Sequence, residues 1–127
     1  MLTILIADDE PNVIELVRVT LEDERVRVME AGDGGTALAI AAAFRPELVL
    51  LDVGLPDMSG LDVCRRLTRE SEFGAPRVVM LTAAAQAADI ARGLEAGATL
   101  YLTKPFSPVR LLSLVERLVP EATWPRG

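Results

Sequence analysis

The feature that most constrains this chain is alternation. Five short apolar runs, at 2–7, 26–30, 47–51, 77–81 and 98–103, are each followed by a stretch with helical spacing, at 11–23, 34–44, 60–70, 85–95 and 108–119. "LTILIA" (2–7) is continuously apolar and partly β-branched, as a strand buried on both faces must be. "VRVME" (26–30) alternates like a half-buried strand. "ELVLL" (47–51), "RVVML" (77–81) and "ATLYLT" (98–103) supply the other three. The helical stretches carry one apolar face each: Val13, Leu16, Val17 and Leu21; Ala37, Ile40, Ala41 and Phe44; Val63, Cys64 and Leu67; Ala87, Ile90, Ala91 and Leu94; Leu111, Leu114, Val115 and Leu118. Pro11 suits the first turn of its helix and Pro46 ends the second one. Strands that alternate with helices imply an α/β fold, a doubly wound parallel sheet covered on both faces. Right-handed crossovers leave few topologies. No GxGxxG opens the first helix, so a dinucleotide-binding version is disfavoured. The strand count suits the five-stranded order 2-1-3-4-5.

With 127 residues the chain makes one domain, expected over 1–119, followed by a short C-terminal tail or linker start at 120–127, "PEATWPRG". Only 4% of residues are aromatic, so the core must be aliphatic. A net charge of −6 argues against direct nucleic acid binding by this domain, which needs clustered Lys and Arg. The lone cysteine, Cys64, cannot form an internal disulfide and reads as core, in keeping with a cytoplasmic location. "MLTILIADDE" lacks the basic start and long apolar run of a signal peptide, and no stretch is long enough to span a membrane. There is no histidine, which removes histidine bases, histidine metal ligands and phosphohistidine from the chemistry available.

In an open parallel sheet, ligands bind at the carboxyl ends of the strands, near the switch in strand order. There the chain places Asp8 and Asp9 after the first strand, Asp52 after the third, Thr82 after the fourth and Lys104 after the fifth, with Pro105 behind it. In the order 2-1-3-4-5 these four strands are consecutive neighbours, so five polar groups converge. Three carboxylates together repel one another, and a hard cation relieves this. Mg²⁺ takes oxygen ligands, commonly one or two carboxylates plus a phosphate. Lys104 adds a compact positive charge and Thr82 a hydroxyl. That set matches phosphoryl transfer, in which positioning and charge neutralisation do most of the catalysis. A carboxylate at an exposed strand tip can itself be the nucleophile.

The segments "ADDE" (7–10), "LLDVGLPDMSG" (50–60), "MLTA" (80–83), "EAGA" (95–98) and "LTKPFSP" (102–108) together resemble the receiver domain of two-component response regulators, from about residue 3 to residue 119. The resemblance implies a flavodoxin-like fold. It implies that Asp52 is the phosphoacceptor, that Asp8, Asp9, Asp52 and the carbonyl of Gly54 hold Mg²⁺, and that Thr82 and Lys104 contact the phosphoryl group. The Lys104–Pro105 bond matches the family's cis peptide, and Tyr101 its aromatic switch position, coupled to Thr82. The implied partners are a sensor histidine kinase or histidine phosphotransfer protein, then a downstream effector protein or linked effector domain, with a homodimer possible through residues 85–119. The implied role is signalling, with no substrate turned over beyond the domain's own phosphorylation and dephosphorylation.

Each residue also has a plainer use. Asp8 or Asp9 can cap the first helix, and one of them is expected to contribute to capping. Thr82 can cap the helix that follows, Tyr101 can be a simple edge-strand aromatic, and Gly60 and Gly97 answer backbone requirements. The alternative from another class is a Mg²⁺-dependent aspartyl-phosphate hydrolase. Such enzymes carry a second Asp two residues after the nucleophile, where this chain has Gly54, and a cap domain that it lacks. A flavin-binding module would need a Ser/Thr/Gly-rich loop after the first strand, which is also missing.

Overall fold

The computed structural model describes residues 1–83 and 87–120. Five strands, β1 (Leu2–Ala7), β2 (Val26–Ala31), β3 (Leu48–Asp52), β4 (Arg77–Thr82) and β5 (Leu100–Thr103), alternate with five helices, α1 (Pro11–Leu21), α2 (Gly34–Phe44), α3 (Gly60–Arg69), α4 (Ala87–Glu95) and α5 (Pro108–Leu118). All neighbouring strands pair in parallel, in the order β2-β1-β3-β4-β5 that the alternation implies. Residues 85 and 86 of the expected fourth helix, the side chain of Ala87, and residues 121–127 of the expected tail lie outside the described residues.

Successive strand residues point to opposite faces, so one sheet makes two cores. Leu5, Val49, Leu51, Val78 and Met80 face α2 and α3, where Ala37, Ala41, Val63, Cys64 and Leu67 meet them. Ile4, Ile6, Leu48, Leu50, Val79 and Leu81 face α1 and α5, where Val17, Leu21, Leu111 and Val115 close the layer. Burial pushes the Cys64 thiol up to about 11, which leaves it protonated and inert.

Three residues of the expected apolar faces point outward. Phe44 is 47% exposed: it is the last residue of α2, the chain leaves the helix through Arg45 in the left-handed region, and the ring lies under the Arg27 guanidinium, 5.2 Å away. Leu94 is 50% exposed and Ala91 is exposed with it. The inward face of α4 is instead made by the half-buried Ile90 and the buried Gly93, against whose position the Met80 side chain packs. Helical spacing fixes which residues share a face but not which face turns inward, and in this Ala-rich helix two faces qualify.

Other departures are local. α1 stops two residues early because Glu22 turns extended and its carboxylate accepts the Val28 N–H at 3.1 Å. A single 3₁₀ turn, Ser71–Phe73, follows α3 and buries the Phe73 ring. β5 begins at Leu100 rather than 98, and β3 extends to Asp52 itself.

Candidate functional site

The strand ends bring the polar groups to one edge. Asp8 lies just beyond β1 and is fully buried. Its N–H donates to the Ala31 carbonyl, and its Oδ1 accepts the Glu10 N–H at 2.9 Å. The N-cap of α1 is Glu10, whose side chain makes no capping bond, so neither Asp8 nor Asp9 occupies that position. Asp8 supports the helix start from two residues before that position, and Asp9 is exposed.

Asp52 is the last residue of β3. Its register partner on β4 is Leu81, and its Oδ1 accepts the Gly54 N–H at 3.2 Å. Gly60 sets the path of the chain beyond it. A Cβ there would sit 2.8 Å from Val53 Cα and run into the Asp52 carbonyl, so only glycine lets the start of α3 pack against this backbone. Gly60→Ala is therefore expected to cost about 1–3 kcal/mol, the usual range for overpacking. Urea unfolding checks this, and a wild-type midpoint would show that the loop yields freely.

Lys104 follows β5. Its N–H donates to the Thr82 carbonyl at 2.7 Å, and its bond to Pro105 is cis. The side chain is only 11% exposed. Its ammonium lies 2.7 Å from Asp8 Oδ2, 2.8 Å from Glu10 Oε1 and 3.5 Å from Asp52 Oδ2. One cation thus serves three carboxylates, and a fourth stands close by: Asp8, Asp9, Glu10 and Asp52 each offer an oxygen, and these four atoms lie within 4.8 Å of one another. Burial and the neighbouring charges act on both partners. Burial, reinforced by the neighbouring Asp52 charge, pushes the Asp8 carboxyl above its ordinary value even though Lys104 and the Glu10 amide pull it down. Burial alone would lower the Lys104 ammonium, but its bonds to Asp8 and Glu10 outweigh that and hold it above the usual lysine range. Asp8 Oδ2, though close to the ammonium, has no aligned hydrogen-bond donor among the described residues. All-oxygen donors with one buried oxygen left without an aligned donor form a set that suits a hard cation such as Mg²⁺.

Thr82 ends β4 and is buried. It borders a small cavity of about 10 Å³, room for roughly one water, together with Ile90, Gly93, Leu94 and Tyr101. Tyr101 on the edge strand is 38% exposed. Lys104 thus contacts both Asp8 and Asp52, Asp9 stands beside them, and Thr82 lies between the two buried aspartates and Tyr101 along the order of neighbouring strands. The residue that sequence reasoning passed over is Glu10. Its position as the third acid in "DDE", one residue before a helix, was the available signal.

A sheet in the order 2-1-3-4-5 with an acid cluster and a lysine at the carboxyl edge defines a CheY-like α/β class. The family profile described as response regulator receiver domain matches residues 4–116. The chain is 45% identical over 112 residues to the DNA-binding response regulator MtrA of Mycolicibacterium smegmatis, covering 88% of this chain and 48% of that one. It is 40% identical over 116 residues to the DNA-binding dual master transcriptional regulator RpaA of Synechocystis, covering 91% and 48%. Among solved structures, the chemotaxis response regulator CheY4 of Vibrio cholerae superposes with a TM-score of 0.86 at 32% identity, covering 93% of this chain and 98% of that one. The chain belongs to the response regulator receiver domain family. It spans about half the length of the curated relatives it matches. No helix among the described residues is long and apolar enough to cross a membrane.

Proposed function

We propose that this receiver takes a phosphoryl group onto Asp52 from the phosphohistidine of a partner kinase or phosphotransfer protein. The observation that carries the reading is the Lys104 ammonium, 3.5 Å from Asp52 Oδ2 at the tip of a fully paired strand. In the transfer, an Asp52 oxygen attacks phosphorus, the donor's P–N bond breaks, and the imidazole nitrogen leaves with the bonding pair and takes up a proton. Lys104 follows the developing charge on a phosphoryl oxygen, and the Thr82 hydroxyl donates to another. Asp8, Asp9, Asp52 and the Gly54 carbonyl are the groups that would hold Mg²⁺. Bound there, the cation would neutralise the carboxylates and the incoming phosphoryl oxygens. Gly54, two residues after Asp52, has no side chain to act as a general acid, which disfavours the hydrolase alternative.

A mostly apolar groove of about 440 Å³ opens beside Lys104, lined by Glu10, Asn12, Val13, Leu16, Pro105 and Phe106. It gives the donor a place to dock. The signal leaves on the other side. A Thr82 hydroxyl drawn to the phosphoryl oxygens enlarges the cavity it shares with Tyr101, and the ring turns inward. The surface of residues 85–119 then changes for an effector or a second copy of the domain. The names of the relatives favour a DNA-binding effector, reached through residues 120–127 or as a separate protein in the cytoplasm.

Incubation with acetyl phosphate and Mg²⁺ is expected to add one phosphoryl group, stable in acid and labile in base. Thr82→Ala is expected to accept it more slowly and to transmit poorly. The two phosphorylated proteins, compared by backbone amide NMR, should differ around Tyr101 and the start of α4. Equal large shifts in both would remove Thr82 from the coupling route.

A further inference from the structure

The loop that carries Gly54 is closed at its base and bolted at its tip. Gly54 and Ser59 form an isolated antiparallel bridge, so residues 55–58 are a tight excursion between them. The Gly60 N–H donates to the Val53 carbonyl at 2.9 Å, and the Val53 N–H to the Leu81 carbonyl at 3.1 Å. Leu55 is buried. At the tip, Asp57 leaves its own loop and reaches α2: Oδ1 accepts the Gly34 N–H at 2.7 Å and Oδ2 the Gly35 N–H at 2.9 Å. These are the first two residues of the helix, whose N–H groups have no intrahelical acceptors. The third, Thr36, is capped separately by Asp33 Oδ1 at 2.7 Å. Beside the clamp, the Met58 side chain packs against Gly34 so closely that any Cβ there would overlap it. The two amides hold the Asp57 carboxyl below its usual range, Gly34 contributing most, so it is a carboxylate at neutral pH.

We infer that Asp57 is a positioning residue for the cation: by fastening the tip of loop 54–59 to α2, it fixes the direction of the Gly54 carbonyl through the Gly54–Ser59 bridge. This rests on the reading of the site proposed above, in which Gly54 supplies a ligand. A carbonyl on a free six-residue loop samples many directions, and each must be frozen when a ligand binds. A carbonyl on a loop pinned at both ends has that freedom removed in advance. The clamp also works in reverse, because a cation that tightens Gly54 must tighten the Asp57 bonds to Gly34 and Gly35.

The test compares the whole chain with Asp57→Ala, Asp57→Asn and Asp33→Ala. Mg²⁺ affinity is measured by calorimetry, the Gly34 and Gly35 amides are followed by NMR, and unfolding is followed in urea. In the wild type, Mg²⁺ is expected to shift both glycine amides. Asp57→Ala is expected to weaken Mg²⁺ about tenfold or more, the usual loss when a residue supporting a metal ligand is removed. Asp57→Asn keeps one acceptor oxygen and should fall between, and it serves if the alanine variant does not fold. Asp33→Ala removes a cap from the same helix end without touching the loop. It should lower the urea midpoint and leave Mg²⁺ affinity alone. Mg²⁺ affinity within twofold of wild type in both Asp57 variants, glycine amides indifferent to Mg²⁺, or an equal loss in Asp33→Ala overturns the inference. A wild type that binds no Mg²⁺ and accepts no phosphoryl group overturns the proposed function and this inference together. With a wild type that does both, the variants test the role of Asp57 alone.

Discussion

Asp52→Asn is expected to leave no base-labile phosphoryl adduct after incubation with acetyl phosphate and Mg²⁺, under conditions that load the wild type. An amide has no free carboxylate oxygen to attack phosphorus, and neither of its terminal atoms can carry a stable acyl phosphate. The fold should survive. The strand is held by backbone pairing to β1 and β4, and an Asn Oδ1 can still accept the Gly54 N–H that Asp52 accepts now. Lys104 keeps Asp8 and Glu10 as partners. The comparison therefore separates chemistry from stability: circular dichroism should be unchanged while the adduct disappears. An adduct of undiminished yield would place the acceptor on another residue, and Asp8, Asp9 and Glu10 would be tested next in the same way.

The second large effect concerns charge. In chelator, Asp8→Asn is expected to melt higher than the wild type, because it removes a carboxylate that is fully buried among others. Asp9→Asn should move the same way by less, since that side chain stands in water, where repulsion is screened. The loss of the Asp8–Lys104 contact works against the gain. It is the smaller effect here because the ammonium retains Glu10 at 2.8 Å and Asp52 at 3.5 Å. Added Mg²⁺ should then raise the wild-type melting temperature, by the ordinary linkage of a ligand that binds only the folded state, and should do little for Asp8→Asn. Thermal scans with and without the cation test both halves. If both variants melt below the wild type in chelator, repulsion is not what the site stores.

Much of this was legible because two periodicities and one topological rule were enough. Runs of Ile, Leu and Val bounded by turns had to be buried strands, and in the order that crossovers allow, their carboxyl ends had to meet. Asp8, Asp52, Thr82 and Lys104 followed from being the first polar residues past those runs. What escaped notice depends on long-range partners that no local pattern encodes. Glu10 finds its lysine 94 residues away, and Asp57 finds its two amides 23 and 22 residues back along the chain. Read locally, one is a surface acid before a helix and the other a turn residue after a proline. The outward turn of Leu94 has a related cause: α4 covers an edge of the sheet where the neighbouring strand is short, and a glycine at position 93 lets the helix approach on a face that apolar spacing does not mark.

The strand that carries Tyr101 has only four residues and, among the described residues, pairs with the sheet on one side alone, whereas the strand that ends in Asp52 is enclosed between two neighbours. Local opening should follow that difference. Amide hydrogens of β5 and of the α4 end beside it are expected to exchange with solvent through small, frequent excursions, while those of β1 and β3 wait for global unfolding. The domain can then loosen the margin where a message would be read without disturbing the centre where it would be written. A destabilising substitution in β5 should accordingly raise exchange at the margin and leave the central strands as slow as before.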